Sequence, residues 1–134
     1  MTEASPLALV VDDEVQIRRF LRAGLELDGF VVQDAETGND ALRLATLKPP
    51  DLVILDLGLP DMDGAEVLER LRAWSSVPLI VLSVRSNEAE KVRLLENGAD
   101  DYVVKPFDVR LFHARIRLLC RIKGLEHPRR EIGA

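Results

Sequence analysis

Asp12 and Asp13 follow the apolar run Leu7-Ala8-Leu9-Val10-Val11, and Asp56 follows Leu52-Val53-Ile54-Leu55. Ser83 follows Leu79-Ile80-Val81-Leu82, and Lys105-Pro106 follows Tyr102-Val103-Val104. Three carboxylates, a hydroxyl and an ammonium therefore stand at the ends of short apolar runs. Brought together, they suit a divalent metal and a phosphoryl group. Two carboxylates about 5 Å apart repel by about 3 kcal/mol at an effective dielectric of about 20. Three raise one another's pKa unless a cation sits among them, and Lys105 offsets one charge only. Mg2+ is the expected cofactor, because it accepts a few carboxylates, a carbonyl and water while leaving places for phosphate oxygens. Asp12 and Asp13 are candidate ligands alongside Asp56. Gly58, with no side chain, can turn its carbonyl to the ion. Asp56 stands alone at its run's end before a glycine-bearing loop, which makes it the candidate nucleophile. A carboxylate beside a metal and a lysine can attack a phosphoryl donor to give an aspartyl phosphate. Positioning and charge neutralisation by the metal and Lys105 then supply most of the catalysis.

Some of these residues also have plainer roles. Asp13 would cap the helix that follows it, and Asp61 and Asp63 are read as serving the turn-rich loop Leu57–Gly64. Lys105-Pro106 is a candidate cis peptide, since a tight turn at a strand end would aim the lysine inward. A trans bond with a solvated lysine is the alternative. Cys120 is read as a small buried apolar residue.

The elements that must position these groups alternate along the chain. Short continuous apolar runs read as strands buried on both faces of a parallel sheet. Strands are expected at Leu7–Asp12, Phe30–Ala35 (polar, hence an edge), Leu52–Asp56, Leu79–Ser83 and Asp101–Val104. Between them, Ile17, Phe20, Leu21, Gly24 and Leu25 fall at helical spacing until Asp28-Gly29 stops them. A second helix spans Gly38–Leu47, with Ala41, Leu42 and Ala45 inward and Pro49-Pro50 after it. A third puts Val67, Leu68, Leu71 and Trp74 on one face. A fourth opens near Ser86 or Asn87 and closes at Asn97-Gly98. The fifth starts at Asp108 and runs past Cys120. On it, Phe112, Ile116, Leu119 and Cys120 form one stripe, while Leu111, Leu118 and Ile122 form a second line around Arg115. The second line is either a wide core or a partner surface. The pattern is α/β and doubly wound, and such sheets bind ligands beyond the carboxyl ends of their strands.

Composition narrows the function further. The 134 residues suit one domain, read as 1–123, with 124–134 as a linker or frayed tail. A net charge of −5 argues against nucleic-acid binding by the sheet domain itself. One cysteine allows no internal disulfide. No apolar run approaches the roughly 18 residues of a membrane span, and Met1–Pro6 lacks the basic start of a signal peptide. The expectation is a cytoplasmic protein with no membrane partner. The absence of Gly-x-Gly-x-x-Gly and Walker motifs argues against a dinucleotide enzyme.

Four segments together carry a resemblance. Val11-Asp12-Asp13-Glu14, Leu55-Asp56-Leu57-Gly58-Leu59-Pro60-Asp61-Met62-Asp63-Gly64, Val81-Leu82-Ser83 and Gly98-Ala99-Asp100-Asp101-Tyr102-Val103-Val104-Lys105-Pro106-Phe107 occur in this order. They resemble the receiver domain of two-component response regulators over about residues 6–123. The closing segment resembles the OmpR/PhoB subfamily. Ile17–Arg22, Asp56–Asp61 and Trp74–Pro78 resemble its branch controlling potassium-transport genes. The resemblance implies a flavodoxin/CheY-like sheet of five strands in the order 2-1-3-4-5. It implies that Asp56 accepts phosphate from a sensor histidine kinase, that Asp12, Asp13 and the Gly58 carbonyl hold Mg2+, and that Lys105 contacts the phosphoryl group. Ser83 would turn its hydroxyl towards that group and Tyr102 would swing inward, a local charge event biasing a bistable surface.

The same resemblance implies a homodimer on phosphorylation through the fourth helix, fifth strand and fifth helix. Val92, Leu95 and Ala114 match its apolar patch; Asp101 with Arg115, and Glu96 with Arg117, match its intermolecular ion pairs. Lys91 usually faces a glutamate, but that position is Leu111 here. Arg85 and Gly58 fall where family members tune dephosphorylation. DNA would be bound only through a C-terminal domain absent from these residues. Two alternatives remain: a stand-alone receiver shuttling phosphate, and a magnesium-dependent aspartyl-phosphate phosphatase of the haloacid-dehalogenase type. The latter needs an acid two residues past its nucleophile, where Gly58 stands.

Overall fold

The strands β1 (Leu7–Val11), β2 (Val31–Ala35), β3 (Leu52–Asp56), β4 (Leu79–Ser83) and β5 (Asp101–Val104) run parallel in the order β2-β1-β3-β4-β5. They belong to a computed structural model that describes residues 5–124. The expected order 2-1-3-4-5 is thus found, with the polar β2 at an edge. Strand side chains alternate between two faces, and helices cover both. Leu21 and Leu25 of α1 (Val15–Leu27), with Phe112, Ile116, Leu119 and Cys120 of α5 (Val109–Ile122), pack on Ala8, Val10, Ile54, Ile80 and Leu82. Ala41 and Ala45 of α2 (Gly38–Leu47), Val67, Leu68 and Leu71 of α3 (Gly64–Arg72) and Leu94 of α4 (Glu88–Glu96) pack on Leu9, Val11, Val53, Leu55 and Val81. β1, β3 and β4 are buried on both faces, which is why they read as unbroken apolar runs. Among the described residues no helix is long and apolar enough to cross a membrane.

Helix starts follow side-chain chemistry. Thr37, Asp63, Asn87 and Asp108 each accept a hydrogen bond from a main-chain N–H in the first turn of α2, α3, α4 and α5 respectively. The choice between Ser86 and Asn87 falls to Asn87. At α1 the N-cap position is Glu14 and no side chain caps the first turn, so Asp13 does not cap it.

Several expectations need correction. β1 stops at Val11 and β2 starts at Val31, one residue inside the expected limits. Trp74 is not on the buried face of α3: the helix ends at Arg72 and Trp74 is half exposed beyond it. Phe20 is also half exposed, because the sheet-facing stripe of α1 runs through Leu21 and Leu25; its ring instead sits 6.2 Å from Phe107. Leu111, Leu118 and Ile122 are all exposed, so the second line on α5 does not widen the core. Cys120 is buried as a small apolar residue. Of the expected tail 124–134, residues 125–134 lie outside the described residues.

Two further features hold the frame and give testable stabilities. Arg72 donates to the Gly98 carbonyl from Nε (2.9 Å) and Nη2 (2.8 Å) and to the Ser75 carbonyl (3.2 Å), tying α3 to the turn before β5. Its Nη2 also meets Asp100, whose carboxylate accepts from Leu79 N at 2.9 Å. Arg72→Ala strands these part-buried acceptors, and a cost of about 2–3 kcal/mol is expected in urea unfolding. Gly64 opens α3 directly against the end of β3: an added Cβ would collide with the Asp56 carbonyl oxygen and lie 2.8 Å from Leu57 Cα. Both obstacles are backbone and cannot rotate away. Gly64→Ala is expected to cost roughly 1–3 kcal/mol in the same assay.

Candidate functional site

Strand register brings the loaded residues to one end of the sheet. Val11 pairs with Leu55, Asp56 with Leu82, and Ser83 with Val104. Asp12 and Lys105, each one residue past its strand, therefore flank Asp56 and Ser83 at the carboxyl ends. Asp12, Asp56 and Ser83 are the buried polar residues of the described chain, and Asp13 is exposed at the rim.

The side chains of Asp12, Asp13 and Asp56 each bring an oxygen within 4.8 Å of the others. Lys105 Nζ lies between two of them, 2.9 Å from Asp12 Oδ2 and 3.2 Å from Asp56 Oδ1, with Glu14 Oε1 at 3.6 Å. The Lys105-Pro106 peptide is cis. Burial pushes the Asp56 carboxyl above the usual carboxylate range, and the charge of Asp12 adds to this; Lys105 only partly offsets them. Burial acts to lower the Lys105 pKa, but its contacts with Asp12 and Asp56 outweigh it and hold the ammonium above its ordinary value. Three carboxylates against one ammonium leave a net negative pocket of hard oxygens. That donor set fits Mg2+. An added Cβ at Gly58 would lie 3.7 Å from Asp56 Oδ2, so Gly58 borders the Asp56 carboxylate with no side chain in the way.

Ser83 and Tyr102 meet through Arg85. Ser83 Oγ accepts from Arg85 N at 2.9 Å, and the Tyr102 hydroxyl donates to the Arg85 carbonyl at 2.8 Å. Tyr102 is thus already turned inward and buried. Val92, Leu95, Glu96, Ala114 and Arg117 are exposed along α4 and α5. Asp101 and Arg115, matched above to an intermolecular pair, meet within this chain at 2.8 Å. Glu96 and Arg117 make no pair with each other within the described chain; Arg117 lines a cleft of about 380 Å3 with Leu27, Asp28, Arg110 and His113.

Three contacts were not foreseen from the sequence. Arg18 Nη1 donates to the Asp12 carbonyl at 2.7 Å; a side chain reaching a main-chain oxygen leaves no mark in residue spacing. Asp61 does more than serve its loop. It accepts from Gly38 N (2.8 Å) and Asn39 N (2.9 Å), pinning the loop after Asp56 to the start of α2, and these bonds hold its carboxyl below the usual range. The Arg85 guanidinium meets Glu90 at 2.7 Å and Asp63 at 3.4 Å.

Comparison with known proteins agrees with this geometry. The response regulator receiver domain family matches residues 8–117. The chain is 55% identical over 115 residues to the transcriptional regulatory protein KdpE of Mycobacterium tuberculosis (strain CDC 1551 / Oshkosh), covering 86% of this chain and 51% of that protein. It is 54% identical over 113 residues to the KDP operon transcriptional regulatory protein KdpE of Escherichia coli (strain K12), covering 84% and 50%. The chain thus spans about half the length of these curated relatives. The solved receiver domain of the Francisella response regulator 1452 superposes with a TM-score of 0.82 at 31% identity, covering 88% of this chain and 98% of that one. With five parallel strands in the matching order and an acidic cluster beside a lysine at their carboxyl ends, this chain belongs to the response regulator receiver domain family.

Proposed function

We propose that Asp56 accepts a phosphoryl group from the phosphohistidine of a sensor kinase, with Mg2+ held by Asp12, Asp13, Asp56 and the Gly58 carbonyl. The observation that carries this reading is the convergence of three carboxylates within 4.8 Å, with Lys105 3.2 Å from Asp56. Bound there, the ion would neutralise the phosphoryl oxygens as their charge grows. The chain's own residues supply the rest. The β3 strand end fixes the Asp56 carboxylate for in-line attack. Lys105, kept protonated by its carboxylate neighbours, follows the charge onto the incoming group. Ser83 offers its hydroxyl to a phosphoryl oxygen. The phosphatase alternative finds no support, because the place of its second acid is Gly58. The test is intact mass after acetyl-phosphate treatment. One phosphoryl group is expected with magnesium and none with a chelator; an unmodified protein under both conditions refutes the proposal.

We further propose that the phosphorylated domain pairs through α4, β5 and α5, in a KdpE-like regulator of potassium-transport genes acting in the cytoplasm. DNA contact would belong to a domain beyond these residues. The exposed Val92, Leu95 and Leu111 support an apolar contact on this face. The internal Asp101–Arg115 pair must open or be shared for an intermolecular bridge to form. Leu111 stands where a glutamate would face Lys91, so one ion pair of this face is lost and salt is expected to weaken the dimer less than where that pair is kept. Light scattering with beryllofluoride should show a doubled mass; an unchanged monomer would count against the dimer.

A further inference from the structure

Arg85 joins four parts of the molecule at once. Its N–H is held by Ser83 Oγ at 2.9 Å and its carbonyl by the Tyr102 hydroxyl at 2.8 Å. Its guanidinium reaches Glu90 on the first turn of α4 at 2.7 Å. The same guanidinium reaches Asp63 at 3.4 Å. Asp63 caps α3 and bridges to Gly58, which borders Asp56. One side chain therefore spans from the loop after the phosphoacceptor strand to the start of α4, while its main chain holds both hydroxyls of the pocket.

We propose that Arg85 is a positioning residue that clamps the first turn of α4 to the phosphoacceptor loop, and that a phosphoryl group on Asp56 releases this clamp by competing with Glu90 for the guanidinium. This rests on the phosphoacceptor reading above. Two observations set the direction. The bond to Glu90 is short and the contact with Asp63 is long, so the α4 end takes most of the ion pairing while the pocket end is loosely engaged. Glu90 is also an imperfect partner: its Oε1 is buried without a hydrogen-bond partner among the described residues. A buried carboxylate oxygen with no protein donor is unfavourable, and opening the first turn would expose it to solvent. New negative charge at Asp56 pulls the guanidinium towards the pocket, and the turn carrying Glu90 is freed.

The test is hydrogen exchange of the segment 84–97, with and without beryllofluoride. It is run at a concentration where light scattering shows a monomer, with 19F NMR reporting the bound analogue. In the unmodified protein the analogue is expected to speed exchange at least about threefold. Glu90→Gln keeps the side-chain shape and removes the charge that holds the clamp. It should bind the analogue normally, exchange fast without it, and gain nothing further with it. Asp63→Asn, which keeps the α3 cap, should leave the increment intact. A merely structural Glu90 would give faster exchange in both states with the increment preserved, and that result overturns the clamp. Exchange that slows or stays unchanged in the unmodified protein, with the analogue bound, overturns it too. Absence of any bound analogue would instead remove the phosphoacceptor reading, and the clamp with it.

Discussion

Asp56→Asn is expected to fold, to lose all phosphoryl uptake and to be more stable than the unmodified protein. The first two outcomes follow from the neutral amide, which has the shape of the carboxylate but no nucleophilic oxygen. The third follows from the pocket's electrostatics. Burial and the charge of Asp12 raise the Asp56 pKa in the folded chain. The folded state therefore binds this proton more tightly than the unfolded state does. Any stabilisation from Asp56 is present at low pH and is lost as pH rises through the folded pKa. At neutral pH the carboxylate is a net burden that the amide removes, a common exchange of stability for function at active sites. The melting temperature at neutral pH should rise in the variant, the gap should close on acidification, and magnesium should narrow it by binding the unmodified pocket. A variant that melts lower at neutral pH, or takes up label as the unmodified protein does, would contradict this account.

Lys105→Met should have the second-largest effect. The ammonium is the cation set between Asp12 and Asp56, at 2.9 and 3.2 Å, and its side chain is nine-tenths buried. Methionine fills a similar volume without charge, leaving three carboxylates with no fixed counter-charge. The rate of uptake from acetyl phosphate should fall by about 10²–10³-fold, as when one preorganised donor is removed from a site where charge develops. The variant should also be destabilised, because breaking a buried pair strands its partners. Magnesium should recover much of that stability, since a divalent cation replaces the missing charge, but it should not recover the rate. Uptake within about threefold of the unmodified protein would contradict the role given to Lys105.

What the sequence made legible follows from where its signals are local. Unbroken apolar runs require strands buried on both faces, so the residues that follow or end them, Asp12, Asp56 and Ser83, fall at the pocket. Lys105 followed the same logic. The failures are those of side chains whose partners are distant in sequence or lie on the main chain. Trp74 fits the spacing of α3, but the helix stops two residues earlier, and helix ends are set by hydrogen bonding that periodicity does not record. Phe20 fits a helical stripe, but only the strip facing the sheet is covered. Asp61 has the composition of a turn residue, yet it binds the start of α2 some 23 positions away. Arg85, Asp63 and Glu90 are ordinary charges in the sequence and become a cluster only when two loops meet. The internal Asp101–Arg115 pair shows a further limit: residue types suited to a bridge do not say whether it forms within one chain or between two.

Borohydride reduction of the acetyl-phosphate-treated protein tests the central claim most directly, because it converts an aspartyl phosphate to homoserine at the labelled position. With magnesium present, peptide sequencing by mass spectrometry should find homoserine at position 56 and aspartate at 12 and 13. Homoserine at 12 or 13, or at no position, would show that Asp56 is not where the phosphoryl group is received.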